Sequence, residues 1–296
     1  MRIVLALAAA VLLLGGCAED SATRSSSTGD RFEDSFKGAF KNVEAYPVFI
    51  SSEIVVGRNR FLLGVLDDND APIGHPDINV RVAFYDLESD TRTPVSERPM
   101  DFVWSVEGEH GVYVTGARFA HPGKWGAEVS INGRGIDETV RGSFKVAPEP
   151  STPGLGDAAP PVDNVTSSDT NDLSEITTDQ NPDPSFYRLS VADALRIGRP
   201  FVVTFATPKF CTSAVCGPTL DIVKEVSHDF PKLNFIHIEV YENLDDPDNL
   251  KVVPAVQEWS LPTEPWVFVV DGKGDIYEKY EGIVGENELR SALNSL

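Results

Sequence analysis

The chain has 296 residues, long enough for two domains that each bury a core of their own. Its 46 acidic against 25 basic side chains leave a formal charge of −21, which repels the phosphates a nucleic-acid binder must neutralise, so DNA and RNA are excluded as expected partners. Three cysteines, Cys17, Cys211 and Cys216, leave room for one internal disulfide and an odd thiol.

In chain order, Met1-Arg2 gives a short positive start, Ile3 to Leu14 is an unbroken apolar run, and Gly15 and Gly16 follow. The pattern reads as a secretory signal, because the run is shorter than the roughly 20 apolar residues of a membrane span. Leu14-Gly15-Gly16-Cys17 resembles the lipobox of bacterial lipoproteins, whose cysteine is acylated and becomes the mature N-terminus. That resemblance implies residues 1–17 as a signal, lipidation at Cys17, and an extracytoplasmic protein held to the membrane by its lipid anchor. Residues 18–44 then form a tether containing the Ser/Thr-rich run from Ser21 to Asp30. With Cys17 acylated, Cys211 and Cys216 are the remaining candidates for a disulfide, which persists in an oxidising compartment.

Residues 45–147 are a series of short runs rich in Val, Ile, Phe and Tyr, broken by clusters such as Leu66-Asp67-Asp68-Asn69-Asp70. Strands are expected at Arg60 to Leu66, Val80 to Tyr85, Gly111 to Thr115, Trp125 to Ile131 and Gly142 to Val146. Val80, Val82 and Phe84 alternate with Arg81, Ala83 and Tyr85, as on a strand with one better-buried face. The region looks like an immunoglobulin-like all-β sandwich, and names no ligand. Residues 148–184 carry eight acids, no Lys or Arg, and many Pro, Ser and Thr. Such a composition predicts a solvated, self-repelling linker. Gly156-Asp157-Ala158-Ala159-Pro160 is nevertheless similar to the segment that opens thioredoxin-like domains of the peroxiredoxin and cytochrome-maturation types, which implies packing there.

From 185 to 296 the pattern becomes α/β. Ser190 with Asp193 caps a helix through Ile197, Gly198 and Pro200 stop it, and Phe201 to Ala206 is a buried strand. A helix is expected from about Pro218 with Leu220, Val223, Ser227 and Phe230 on one stripe, then a strand from Leu233 to Val240. Strands at Trp266 to Val270 and Ile276 to Tyr280 flank the turn Asp271-Gly272-Lys273-Gly274, and Glu286 to Leu293 is the closing helix. The order helix, strand, cysteine pair, helix, strand, proline, hairpin, helix resembles a thioredoxin-like fold. Val202-Val203-Thr204-Phe205-Ala206, Cys211, Pro218-Thr219-Leu220-Asp221 and Glu264-Pro265-Trp266-Val267-Phe268 carry that resemblance.

The resemblance implies thiol–disulfide exchange on exported protein dithiols or disulfides, with no cofactor and no metal, and an unidentified redox donor. Cys211 is the expected nucleophile and Cys216 the resolving thiol. Lys209 is expected to lower the thiol pKa, since a thiolate is the attacking species. Pro265, as the family's cis-proline, with Glu264 and Phe210, is expected to receive the partner. Departures keep alternatives open. Four residues separate the cysteines where the family usually has two, and Thr204 stands where the family has a buried aspartate. Cys216-Gly217-Pro218-Thr219 also matches the family's motif in a second register, in which Cys216 attacks and Cys211 resolves. Oxidase and reductase directions share these residues. The rivals are a surface binding protein with a structural Cys211–Cys216 disulfide, a thiol peroxidase and a copper-delivery protein. His237, alternating with Leu233 and Phe235, reads as a satisfied core histidine rather than a ligand. Asp67 to Asp70 and Asp245 to Asp248 read as turns, lacking the glycine and bidentate glutamate of a calcium loop.

Overall fold

The computed structural model describes residues 43–296; the signal, Cys17 and all but the last two residues of the tether lie outside them. Among the described residues no helix is long and apolar enough to cross a membrane.

Residues 45–146 form a β-sandwich. One sheet has the order β1-β2-β6-β5, built from β1 (Ala45–Phe49), β2 (Gly57–Asp67), β6 (His110–Phe119) and β5 (Asp101–Val106). The other has the order β4-β3-β7-β8, from β4 (Ser96–Pro99), β3 (Asn79–Asp86), β7 (Gly123–Gly133) and β8 (Ile136–Val146). The five expected strands are all present, each longer than its apolar run. The strands β1, β4 and β5 were not expected, because β1 carries Pro47 and β4 is wholly polar but for its proline. Alternation on β3 sends Val80, Val82 and Phe84 into the core between the sheets. There Phe61, Phe84, Phe119 and Phe144 meet edge to face or tilted, with ring centroids 5.0–6.2 Å apart. Each such ring contributes about 1.5–3 kcal/mol by burial.

The second unit is built on a mixed sheet of order β10-β9-β13-β14, apart from which β11 (Tyr241–Glu242) pairs with β12 (Lys251–Val252). The strand β9 (Phe201–Ala206) pairs in parallel with β10 (Asn234–Glu239) and antiparallel with β13 (Trp266–Val270), which pairs antiparallel with β14 (Ile276–Glu281). Every residue of β9 and β13 is buried, because helices cover both faces. Phe201, Val203 and Phe205 face helix α1 (Val191–Ile197) and the short helix α3 (Pro254–Glu258). On the opposite face Val202, Val267 and Val269 meet α2 (Cys216–Ser227) and α4 (Glu286–Leu293). The expected cap of α1 is formed: Asp193 N donates to Ser190 Oγ (3.1 Å), and Gly198 closes the helix at φ 69°. The helix α2 starts at Cys216, two residues before the expected Pro218, which sits in its first turn.

The expectation of a solvated linker over residues 148–184 is corrected. Gly156 N donates to Ile276 O, Ile276 N to Asp157 O and Ala159 N to Gly274 O, each at 2.8 Å, so the segment lies along the start of β14. Ala159 and Val162 join the core. Its acids do not repel one another into solvent, because the aspartates close tight turns on backbone amides. Asp157 accepts from Gly154 N, Asp169 from Thr166 N, Asp172 from Ser174 N, Asp179 from Asn181 N and Asp183 from Ser185 N. Composition counts charges but not the amides that neutralise them.

The two units touch through ion pairs. Arg60 of β2 grips Glu288 with two nitrogens at 2.9 Å and donates to the carbonyls of Glu281 and Ile283. Glu53 accepts from Lys279 Nζ (2.6 Å) and from Ser151 and Thr152, and Arg58 pairs with Glu278. Burial pushes the Glu53 carboxyl up, but these donors outweigh it and hold the group below its ordinary range.

Candidate functional site

The cysteines lie where β9 hands over to α2. After Ala206 the chain runs through buried Thr207 and half-buried Pro208 into the loop from Lys209 to Val215. Cys211 and Cys216 are joined as a disulfide across a Cα–Cα distance of 6.0 Å. The four intervening residues close because Ala214 takes a left-handed conformation (φ 59°) and its N–H donates to Cys211 O (3.3 Å). A residue with a Cβ pays about 1–2 kcal/mol to sit there.

The two sulfurs are in unlike surroundings. Cys216 is the first residue of α2 and fully buried; Cys211 is in the loop and half-buried. The N–H of Cys216, free of any intrahelical partner, lies 3.3 Å from Cys211 Sγ, and Ser213 Oγ lies 3.3 Å from the same sulfur. Donors from a helix start and a hydroxyl therefore converge on Cys211. Lys209, the cation expected to lower the thiol pKa, stands two residues before Cys211. Its ammonium sits over the Phe210 ring, 5.1 Å from the centroid.

The loop is tied down by groups that the sequence did not single out. Lys209 N donates to Thr178 Oγ1 (3.1 Å), whose own hydroxyl donates to the buried carboxylate of Glu239 (2.7 Å). Lys224 of α2 pairs with Asp179 (2.8 Å), so residues 178–179 hold both the loop and the helix. Beside them His237 is buried and satisfied, as expected: Nε2 donates to Ala206 O (3.0 Å) and Nδ1 accepts from Tyr187 (2.7 Å). Burial lowers its pKa, so it stays neutral. Thr204 and Thr207 bury hydroxyl oxygens without a hydrogen-bond partner among the described residues. A spacing pattern cannot reveal Thr178 or Glu239, which come from segments about 60 residues apart.

Glu264 and Pro265 reach the cysteine region indirectly. The Glu264–Pro265 bond is cis, and Pro265 is buried directly before β13. Its carbonyl accepts from Gly282 N (2.9 Å), and Gly282 O accepts from Thr219 Oγ1 in the first turn of α2 (3.4 Å). Phe210 meets Tyr241 edge to face with centroids 6.3 Å apart, and Tyr241 feels the charge of Glu264. Burial raises the Glu264 carboxyl above its ordinary range. Phe210, Tyr241 and Glu264 are each partly exposed, and Tyr241 and Glu264 line one pocket.

No protein-family model and no curated protein matches the chain. Among solved structures it is similar to a DUF4426 family protein from Pseudomonas aeruginosa PAO1 (11% identity, TM-score 0.26), covering 38% of this chain and 97% of that one. A putative glycoside hydrolase from Bacteroides vulgatus ATCC 8482 shares 16% identity over 36% of this chain and 19% of its own, at TM-score 0.21. MtrC from Shewanella baltica OS185 shares 12% identity over 49% of this chain and 28% of its own, at TM-score 0.23. The chain spans less than a third of the length of the latter two. Likenesses this slight assign neither fold nor activity.

Proposed function

We propose that the protein is a membrane-anchored, extracytoplasmic thiol–disulfide oxidoreductase of thioredoxin type that acts on exported proteins. The observation that carries this reading is the asymmetry of the pair: the more exposed sulfur, Cys211, receives the N–H of the helix start, while Cys216 is buried behind it. The mixed sheet with helices on both faces, the cysteines between β9 and α2, and Pro265 directly before β13 support a thioredoxin-like second unit. The lipobox-like Leu14-Gly15-Gly16-Cys17 supports the anchor.

In this cycle the Cys211 thiolate attacks one sulfur of a partner disulfide, and the other leaves as a thiolate. Cys216, deprotonated, then displaces the partner from the mixed disulfide, so the partner is reduced by two electrons and the Cys211–Cys216 bond is formed. A separate dithiol donor reduces the pair, or the steps run in reverse. Thr204 offers no carboxylate to take the Cys216 proton. A second reading, a binding protein with a structural disulfide, draws on that absence and on the full burial of Cys216. Cys216→Ser should trap a mixed disulfide with an exported protein. If no adduct forms while Cys211 is alkylated as a thiolate, the assigned roles are wrong.

A further inference from the structure

We propose that the pocket beside the cysteine loop takes the side chain of a lysine or arginine lying close in sequence to the partner's reactive cysteine, with its cationic head on Glu264. The nearness to a partner cysteine rests on the oxidoreductase reading; the pocket and its choice of a cation do not. The pocket encloses about 380 Å³ between the β11–β12 hairpin, α3 and the turn that leads to Glu264.

The chain between β10 and β13 builds it. Tyr241 pairs with Val252 and Glu242 with Lys251, in a hairpin that turns through left-handed Asn243 (φ 63°). Pro254 then opens α3, Ser260 takes a left-handed conformation (φ 52°), and Leu261 N donates back to Val256 O (3.0 Å). Val252, Val256 and Leu261 thereby line the pocket together with the buried ring of Phe205. Tyr241 lines it too, and its ring meets that of Phe210, the residue before Cys211. The pocket therefore adjoins the loop that carries the more exposed sulfur.

The lining selects the occupant. Glu264 is its only charged residue, and burial alone acts on that carboxyl, with no donor or cation among the described residues to offset it. The other carboxyls whose largest influence is burial, Glu53, Asp86 and Glu278, each have a basic partner: Lys279, His121 and Arg58. A partly desolvated carboxylate left unpaired is the one at which an incoming cation gains most. A lysine or arginine answers both features of the pocket. Its methylene stem lies along apolar side chains while its head meets the carboxylate, and Tyr241 adds an aromatic ring beside that head. An acidic side chain is repelled, and a purely apolar one buries Glu264 further without a partner.

The test uses the full chain, reduced, and disulfide-closed peptides that carry lysine, norleucine or glutamate at one position, scanned over the four residues on either side of a cysteine. Norleucine keeps the lysine stem without its charge. Each rate of peptide reduction is divided by the rate with dithiothreitol, which removes the effect of the neighbour on the peptide's own sulfur. At one position lysine should react about tenfold or more faster than norleucine, and glutamate slowest. Glu264→Gln should bring the lysine-to-norleucine ratio to about one, and Glu264→Lys should make the glutamate peptide the fastest. A ratio within one variant is unaffected by any loss of folded protein. A wild-type ratio near one at every position, or a ratio that Glu264→Gln leaves unchanged, overturns the proposal. The same peptides with serine for cysteine, titrated against the oxidised chain by fluorescence anisotropy, read the pocket without redox chemistry. Binding that prefers lysine and depends on Glu264, with no peptide reduced, leaves the pocket standing and removes the oxidoreductase reading. Reduction of all three peptides at equal corrected rates does the opposite.

Discussion

The sandwich and the second unit bury their side chains differently. The core of the sandwich is aromatic and aliphatic from Ala45 to Val146, with Asp86, Ser105 and Thr115 as its buried polar residues. The second unit buries Thr177, Thr204, Thr207, Thr219, His237 and Glu239, most of them within reach of the cysteine loop. An apolar core is satisfied by any close packing, whereas a buried polar network fixes one arrangement because each donor needs its acceptor. The polar burial therefore marks the region whose exact loop geometry matters, and the sandwich serves as the scaffold.

Phe61→Ala should break the scaffold side of this contrast hardest. Its ring contacts Phe49, Phe84 and Phe144, and its loss should cost about 3–5 kcal/mol in urea unfolding while leaving the reduction potential of the cysteine pair unchanged. A shifted potential would deny the division of labour. Tyr187→Phe sharpens the other side with a smaller effect. It takes the short bond from His237 Nδ1 and leaves only the longer contact of Thr177 Oγ1 (3.4 Å), at a cost of about 1 kcal/mol, and should speed reduction of the disulfide by dithiothreitol because the loop behind it loosens. Reduction at the wild-type rate would show that the network does not reach the loop.

The smallest effect tests the sandwich's own buried carboxylate. His121 Nδ1 faces Pro122 O (3.0 Å) and Nε2 faces Asp86 (2.8 Å); the carbonyl first and the carboxylate second raise the histidine's pKa. Burial pushes Asp86 up, but Ser89, His121 and Glu88 N–H outweigh it and lower its pKa. The histidine's contribution is complete below the ordinary value of about 6.5 and is lost as pH rises through its raised folded value. The aspartate's contribution is present above the ordinary carboxylate range and is lost as pH falls through its lowered one. Sandwich stability followed against pH should decline at both ends, and His121→Gln should remove the alkaline decline.

Sequence periodicity exposed the elements whose chemistry is local. The alternation of β3, the Ser190 cap, the Asp271–Gly274 turn and the cysteines beside a helix start are all short-range patterns. What it missed is non-local. The edge strand β5, the helix Pro254–Glu258 and the strap of residues 148–184 depend on partners far along the chain. Lys209 was legible as a cation near a thiol, whereas the contact of its ammonium with the Phe210 ring and the backbone N–H of Cys216 beside the Cys211 sulfur were not.

The most direct test of the central claim is the reduction potential of the Cys211–Cys216 pair, obtained by equilibrating the chain across defined thiol/disulfide ratios and counting alkylated thiols by mass spectrometry. A reversible two-electron transition between about −120 and −270 mV is the predicted result, and its position gives the direction of exchange. A pair that stays oxidised below about −300 mV would contradict the account and make the disulfide a structural staple.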